Sequence, residues 1–131
     1  MRLAAIDIGS NAARLLISEI TEQNGDKPLF NKLNLIRVPL RLGFDVFETK
    51  TISPEKEDMI IKTLQSYKYL LEVYHVSFYK ACATSAMRDA TNAKSIIAKV
   101  QEETGIKIEV LSGDEEASVI YENHIAENMN A

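Results

Sequence analysis

The chain contains no tryptophan, a single cysteine, two histidines and three prolines among its 131 residues. The lone Cys82 excludes an intrachain disulfide and any metal site built from several thiolates. On an apolar stretch it reads as core packing, because free cysteine is among the most buried residue types. His75 and His124 lie far apart, without clustered carboxylates, so neither suggests a metal ligand. No apolar run approaches the ~20 residues of a membrane-spanning helix. Met1-Arg2 leads into a short apolar stretch that closes at Asp7, so no signal peptide is read. The expectation is a reduced, cytoplasmic setting with no membrane partner. Excess positive charge is also missing, since 15 Lys and Arg face 19 Asp and Glu, a net charge of −4. Nucleic-acid binding over the whole surface is not expected. A polyanionic ligand would have to be held by local donors.

What is present is 46% apolar residues, ample for one soluble domain. Arg2–Ile8 reads as a buried strand, Ala13–Ile20 as a second and Leu29–Leu40 as a third. Turn signals at Gly9-Ser10-Asn11 and Asn24-Gly25-Asp26 separate them, which predicts an antiparallel meander. Ser53-Pro54-Glu55 opens a helix: serine caps, proline takes the first helical position and glutamate faces the positive dipole end. Ile60, Leu64, Tyr67, Leu71 and Tyr74 give it one apolar face. Val76–Ala83 reads as a buried strand. Asn92 is expected to cap a helix with Ile96, Ile97 and Val100 inward and Gly105 at its end. Lys94 and Lys99 read as its solvated side. Ile106, Ile108 and Val110 alternate with Lys107 and Glu109 in a half-buried strand. Ser112 opens a last helix with Ala117, Ile120 and His124 along one face. The predicted order is β-β-β-α-β-α-β-α, an α/β domain with a mixed five-stranded sheet flanked by helices. It is compatible with a ribonuclease H-like or actin-like lobe.

Three segments carry chemistry. In Asp7-Ile8-Gly9-Ser10-Asn11, glycine lets backbone approach a ligand and tolerates positive φ. Gly9, Ser10 and Asn11 together offer N–H groups, a hydroxyl and an amide that suit a phosphate. Arg14 could add a bidentate contact, and Asp7 could orient a metal-bound water. The plain alternative is an ordinary β-turn satisfying its own backbone. In Ala83-Thr84-Ser85-Ala86-Met87-Arg88, the hydroxyls and Arg88 could hold an oxyanion off a strand's carboxyl end. Equally, Thr84 or Ser85 could cap a helical turn and Arg88 pair with a surface carboxylate. In Ser112-Gly113-Asp114-Glu115-Glu116-Ala117, Ser112 and Glu115 have capping-box spacing, which leaves Glu116 to face elsewhere.

Asp7–Leu16 resembles the first phosphate loop of the exopolyphosphatase and guanosine pentaphosphate phosphohydrolase family, Asp-hydrophobic-Gly-Ser-Asn-Ser-x-Arg-Leu, departing at Ala12. Ala83–Asn92 is similar to that family's Ala-Thr-Ser-Ala-hydrophobic-Arg-Asp-Ala-x-Asn stretch, and Ser112–Ala117 to its Ser-Gly-x-Glu-Glu-Ala. Arg37–Gly43 resembles a further segment that continues Gly-acidic-x-hydrophobic, where Phe44 stands in the usual acidic place. The resemblance implies the N-terminal lobe of a two-lobed hydrolase whose second lobe carries a Gly-Gly-Gly-Ser loop. That enzyme would release terminal phosphate from inorganic polyphosphate or guanosine pentaphosphate, with magnesium as cofactor and a homodimeric parent. Arg88 would contact a phosphoryl group, and Glu116 would position or deprotonate the attacking water. The lobe alone is expected to be nearly inactive. A non-hydrolytic binding module of the same fold is the rival, and a sugar or acetate kinase a weaker third.

Overall fold

The computed structural model describes residues 1–21 and 28–112. The Asn24-Gly25-Asp26 turn and the helix expected after Ser112, with Glu115, Glu116 and His124, lie outside them. Three strands come first: β1 (Arg2–Ile8), β2 (Ala13–Thr21) and β3 (Leu29–Val38). They pair antiparallel in sequence order, as the meander requires, with a register shift between Ile17 and Ser18. After the helices α1 (Leu42–Thr49) and α2 (Pro54–Val73), the strand β4 (Phe78–Ala83) runs parallel to β1. The short helix α3 (Ser85–Asp89) and then α4 (Ala93–Thr104) lead into β5 (Ile108–Val110), parallel to β4. The sheet order is β3-β2-β1-β4-β5, a mixed five-stranded sheet.

One sheet face makes the core. Ala4, Ile6 and Ile8 of β1 alternate inward and join Leu15 and Ile17 of β2 in one buried cluster with Ile60, Leu64 and Tyr67 of α2. Each such aliphatic side chain contributes about 1.5–3 kcal/mol when fully buried. The opposite parity places Leu3, Ala5 and Asp7 on the other face, where Asp7 has Arg14 and Cys82 as its cross-strand neighbours. Cys82 is buried there, as expected of a free cysteine.

The start of α2 is as read: Ser53 Oγ accepts from Lys56 N at 3.2 Å, with Pro54 in the first turn. Gly105 ends α4 with φ 78°, a left-handed cap. Lys94 is exposed, and Lys99 reaches Glu57 of α2 at 2.9 Å.

Four expectations need correction. The strand expected over Val76–Ala83 begins at Phe78, and its first half is exposed, because only Ala81, Cys82 and Ala83 reach far enough to be covered. The third strand ends at Val38, before Pro39, which has no N–H to extend the ladder. Asn92 stands at the N-cap of α4 but does not cap it. Its side chain instead donates to Ile52 O at 2.9 Å and accepts from Ile52 N at 3.0 Å, clamping the α1–α2 connection. Finally, α1 was not expected. It is flanked by Arg41 (φ 55°) and Lys50 (φ 61°), both left-handed. Glycine or asparagine would normally mark such a boundary, so the usual stop signal is missing.

Candidate functional site

Because β1, β4 and β5 are parallel, their carboxyl ends lie at one edge of the sheet. Ligand loops in open α/β sheets gather at such an edge. The segment after β1 is a tight hairpin: Gly9 N donates to Ala12 O at 2.9 Å, with Ser10 and Asn11 at the tip. That bond uses the Gly9 N–H, so of the three amides expected to face a ligand only those of Ser10 and Asn11 remain. Nor is positive φ found at Gly9; the positive-φ residues described are Arg41, Lys50, His75 and Gly105. A Cβ added at Gly9 would meet Ala12 O at 3.5 Å and Thr84 Oγ1 at 3.9 Å, ordinary contacts. Neither backbone angle nor packing within the described chain therefore requires glycine there. Ala12, where the resembling loop carries serine, is buried.

The segment after β4 meets this hairpin. Thr84 N donates to Ile8 O at 3.0 Å, continuing the parallel ladder one residue past β4. Ser85 and Ser10 hydroxyls are 2.6 Å apart, although 75 residues separate them. Neither Thr84 nor Ser85 acts as the expected cap, for the N-cap residue Thr84 makes no side-chain capping bond. Two hydroxyls in mutual contact use one proton between them, leaving the other available to an outside acceptor.

Arg88 sits in the last turn of α3 and is exposed. Its Nη1 donates to Leu111 O at 2.9 Å, while Leu111 N donates to Ala83 O at 2.9 Å. The second segment is thereby tied to the chain just before Ser112. A backbone carbonyl orients this guanidinium, which carries five donors in a rigid plane. The three segments singled out from sequence thus converge, as far as Ser112. Glu116 lies outside the described residues.

The unexpected α1 braces the hairpin from the other side. Gly43 N donates to Ser10 O at 2.9 Å and Arg41 N to Asn11 O at 2.8 Å. A Cβ on Gly43 would lie 3.2 Å from Ser10 Cβ and 3.1 Å from Phe47 Cε2, so here glycine permits a close approach that any larger residue would crowd. Arg14 is exposed on β2, flanked by Asp7 of β1 and Arg37 of β3 in the strand register. Sequence reasoning did not single out Ser85 against Ser10, Gly43, Arg37 or Arg41 for this edge. The resemblance of Arg37–Gly43 to a family segment was the available signal.

Magnesium was expected from resemblance, with Asp7 acting through water. Among the described residues no group of three or more His, Cys, Asp or Glu could hold a metal ion. Magnesium is ordinarily held by one or two carboxylates together with water and substrate phosphates; Asp7 would be such a carboxylate at this edge, and no step is routed through the cation. Among them, too, no helix is long and apolar enough to cross a membrane.

The architecture is an actin-like, ribonuclease H-like lobe with its loops gathered at the carboxyl edge of a mixed sheet. Residues 16–130 match the Ppx/GppA phosphatase family, and the chain belongs to that family. It is 36% identical over 129 residues to a bifunctional 3-dehydroquinate synthase/phosphatase of Fusobacterium nucleatum, covering 94% of this chain and 19% of that protein. It is 28% identical over 121 residues to exopolyphosphatase 1 of Mycobacterium tuberculosis, covering 92% and 34%. Among solved structures, the Ppx/GppA family member of Aquifex aeolicus superposes with a TM-score of 0.81 at 33% identity, over 88% of this chain and 36% of that one. An exopolyphosphatase from Cytophaga hutchinsonii gives a TM-score of 0.81 at 30% identity, over 90% and 36%. The chain thus spans about a fifth to a third of the length of these relatives.

Proposed function

We propose that this chain supplies one wall of the active site of a phosphoanhydride hydrolase that releases terminal phosphate from inorganic polyphosphate or guanosine pentaphosphate. The carrying observation is the 2.6 Å contact between Ser10 and Ser85, which brings two donor-bearing loops together at the carboxyl edge of the sheet. Phosphoryl transfer asks mainly for positioning and charge neutralisation. The Ser10 and Asn11 amides and the shared Ser10–Ser85 proton suit the equatorial oxygens of a phosphoryl group. Arg88, its plane set by Leu111 O, opposes their charge. Gly9, which nothing in the described chain requires to be glycine, leaves the backbone open to a ligand. The role of base on the attacking water rests on resemblance and falls to Glu116, with Glu115 as its capping neighbour. The proposal extends to a soluble, cytoplasmic protein, which rests on the single cysteine and the N-terminal sequence, and to magnesium, a homodimer and a second lobe, which rest on resemblance.

The test is turnover by the natural protein containing this chain. Glu116→Gln should slow phosphate release by about 10²–10⁴-fold while substrate still binds. Arg88→Ala should impair binding and turnover together. Glu115→Gln should be mild, because glutamine also serves a capping box. A crippling Glu115→Gln beside a mild Glu116→Gln reverses the two carboxylates. Tight polyphosphate binding with no phosphate release replaces the hydrolase by a binding module.

A further inference from the structure

We propose that Arg37, Arg41 and Asn11 form a second anion subsite beside the hairpin, which takes phosphate groups of an oligophosphate chain beyond the one held at Ser10 and Ser85. This rests on the phosphate reading of the hairpin and extends it to the rest of the substrate. A cavity of about 420 Å³ opens there, lined by Asn11, Arg37, Pro39, Arg41 and Phe44. Asn11 belongs to both the hairpin tip and this cavity, so the two are continuous.

The charge pattern is what asks for a ligand. Arg14 and Arg37 are direct cross-strand partners on β2 and β3. Like charges placed opposite each other, with Cβ atoms about 4.5–5.5 Å apart, destabilise a sheet. Among the described residues no ion pair engages Arg37 or Arg41, while Arg14 has the Asp7 carboxylate as its other cross-strand neighbour. With Arg37 opposite Arg14 in the register and lining one cavity with Arg41, the fold gains from an anion that bridges Arg37 and Arg41. The chain has five arginines, and four of them, Arg14, Arg37, Arg41 and Arg88, lie about this edge. Its ten lysines supply most of its positive charge, yet none of the described ones lines the cavity. Arginine's planar fork matches phosphate oxygens in a way that lysine's point charge does not.

Phe44 sharpens the inference. It is 80% exposed at a position where the resembling segment carries an acidic residue. A carboxylate there would compete for Arg37 and Arg41. Phenylalanine leaves them to a ligand, and with Pro39 it lines the cavity without a competing charge.

The experiment is isothermal titration calorimetry on the full chain, with orthophosphate and tripolyphosphate as probes at one fixed low salt concentration. Tripolyphosphate should bind at least tenfold more tightly than orthophosphate. Arg37→Gln and Arg41→Gln should each weaken tripolyphosphate about tenfold, the loss of one charge-assisted contact, and orthophosphate less than twofold. Phe44→Glu, on an exposed side chain, should act like the arginine variants. Lys94→Gln on α4 makes the same charge change elsewhere and should alter neither probe. If Lys94→Gln costs as much as Arg37→Gln, the effect is bulk charge and the subsite is refuted. If the arginine variants leave tripolyphosphate unchanged while Arg88→Ala weakens both probes, the hairpin reading stands and the subsite falls. If the unaltered chain binds neither probe, both fall.

Discussion

The two ends of the parallel strands use arginine in opposite ways. At the amino end, Arg2 Nε meets Glu19 Oε2 at 2.8 Å and Arg2 Nη1 meets Tyr74 O at 2.9 Å. The backbone closes the same end, with Ile20 N on Met1 O and Ser77 N on Arg2 O. Here the guanidinium is spent on holding strand to helix. At the carboxyl end, the cross-loop bonds run between hydroxyls and backbone groups, and the arginines are left to face outward or, for Arg88, are oriented by a carbonyl. The same residue type therefore has unequal meaning at the two edges: at one it is part of the scaffold, at the other it is presented by it.

The largest loss should come from the clamp that supports the carboxyl end. Asn92→Ala removes both bonds to Ile52 and leaves a partly buried N–H and C=O without them. At about 1–3 kcal/mol per unsatisfied group, urea denaturation should show a loss of roughly 2–4 kcal/mol. Phosphate affinity should fall with it, since Lys50 O and Thr91 N close the same connection. A change under about 0.5 kcal/mol would mean that the loop edge does not depend on this clamp.

Next is a perturbation that should spare neither end. Tyr67 of α2 is buried beneath the sheet, and burial pushes its phenol up to about 12. In the unfolded chain it titrates near 10. Between these values the folded protein keeps a proton that the unfolded chain has lost, so stability falls as pH rises. The contribution is intact below about pH 10 and lost through about pH 12, of order 2 kcal/mol in all. Tyr67→Phe should flatten the denaturation midpoint over that window relative to the unaltered chain. An equally steep loss in both proteins would place the titrating group elsewhere.

The smallest effect belongs to the amino end. Arg2–Glu19 is a half-exposed pair, and such pairs are worth about 0–1 kcal/mol. With the bond to Tyr74 O lost as well, Arg2→Ala should cost about 1–2 kcal/mol by thermal or urea unfolding and leave phosphate affinity unchanged. A clear drop in phosphate binding would dissolve the contrast between the ends.

Much of this was legible beforehand, for physical reasons that differ by element. The strands β1 and β2 and the helix α2 declare themselves through periodicity, because each must bury one face. The start of α2 was plain because Ser53-Pro54 uses the standard capping chemistry. Helix α1 stayed hidden because arginine and lysine occupy its left-handed boundaries. Asn92 looked like a cap because its type and place suit one, yet a closer pair of backbone groups from Ile52 claimed its amide. Gly9 was read for its freedom of φ, which the hairpin does not use, while Gly43 met the steric demand.

The sequence by itself determined the order of the strands and of the two longer helices, the apolar faces and the identity of the donor-bearing segments. Those are local properties, set by side-chain period and residue type. Tertiary structure alone decided that Ser10 meets Ser85, that Arg88 is oriented by Leu111, and that Arg14 faces Arg37 across two strands. These are contacts between distant positions. They depend on the sheet order β3-β2-β1-β4-β5 and on the parallel pairing of β1 with β4, which arise from how the apolar faces pack together and which no local pattern encodes.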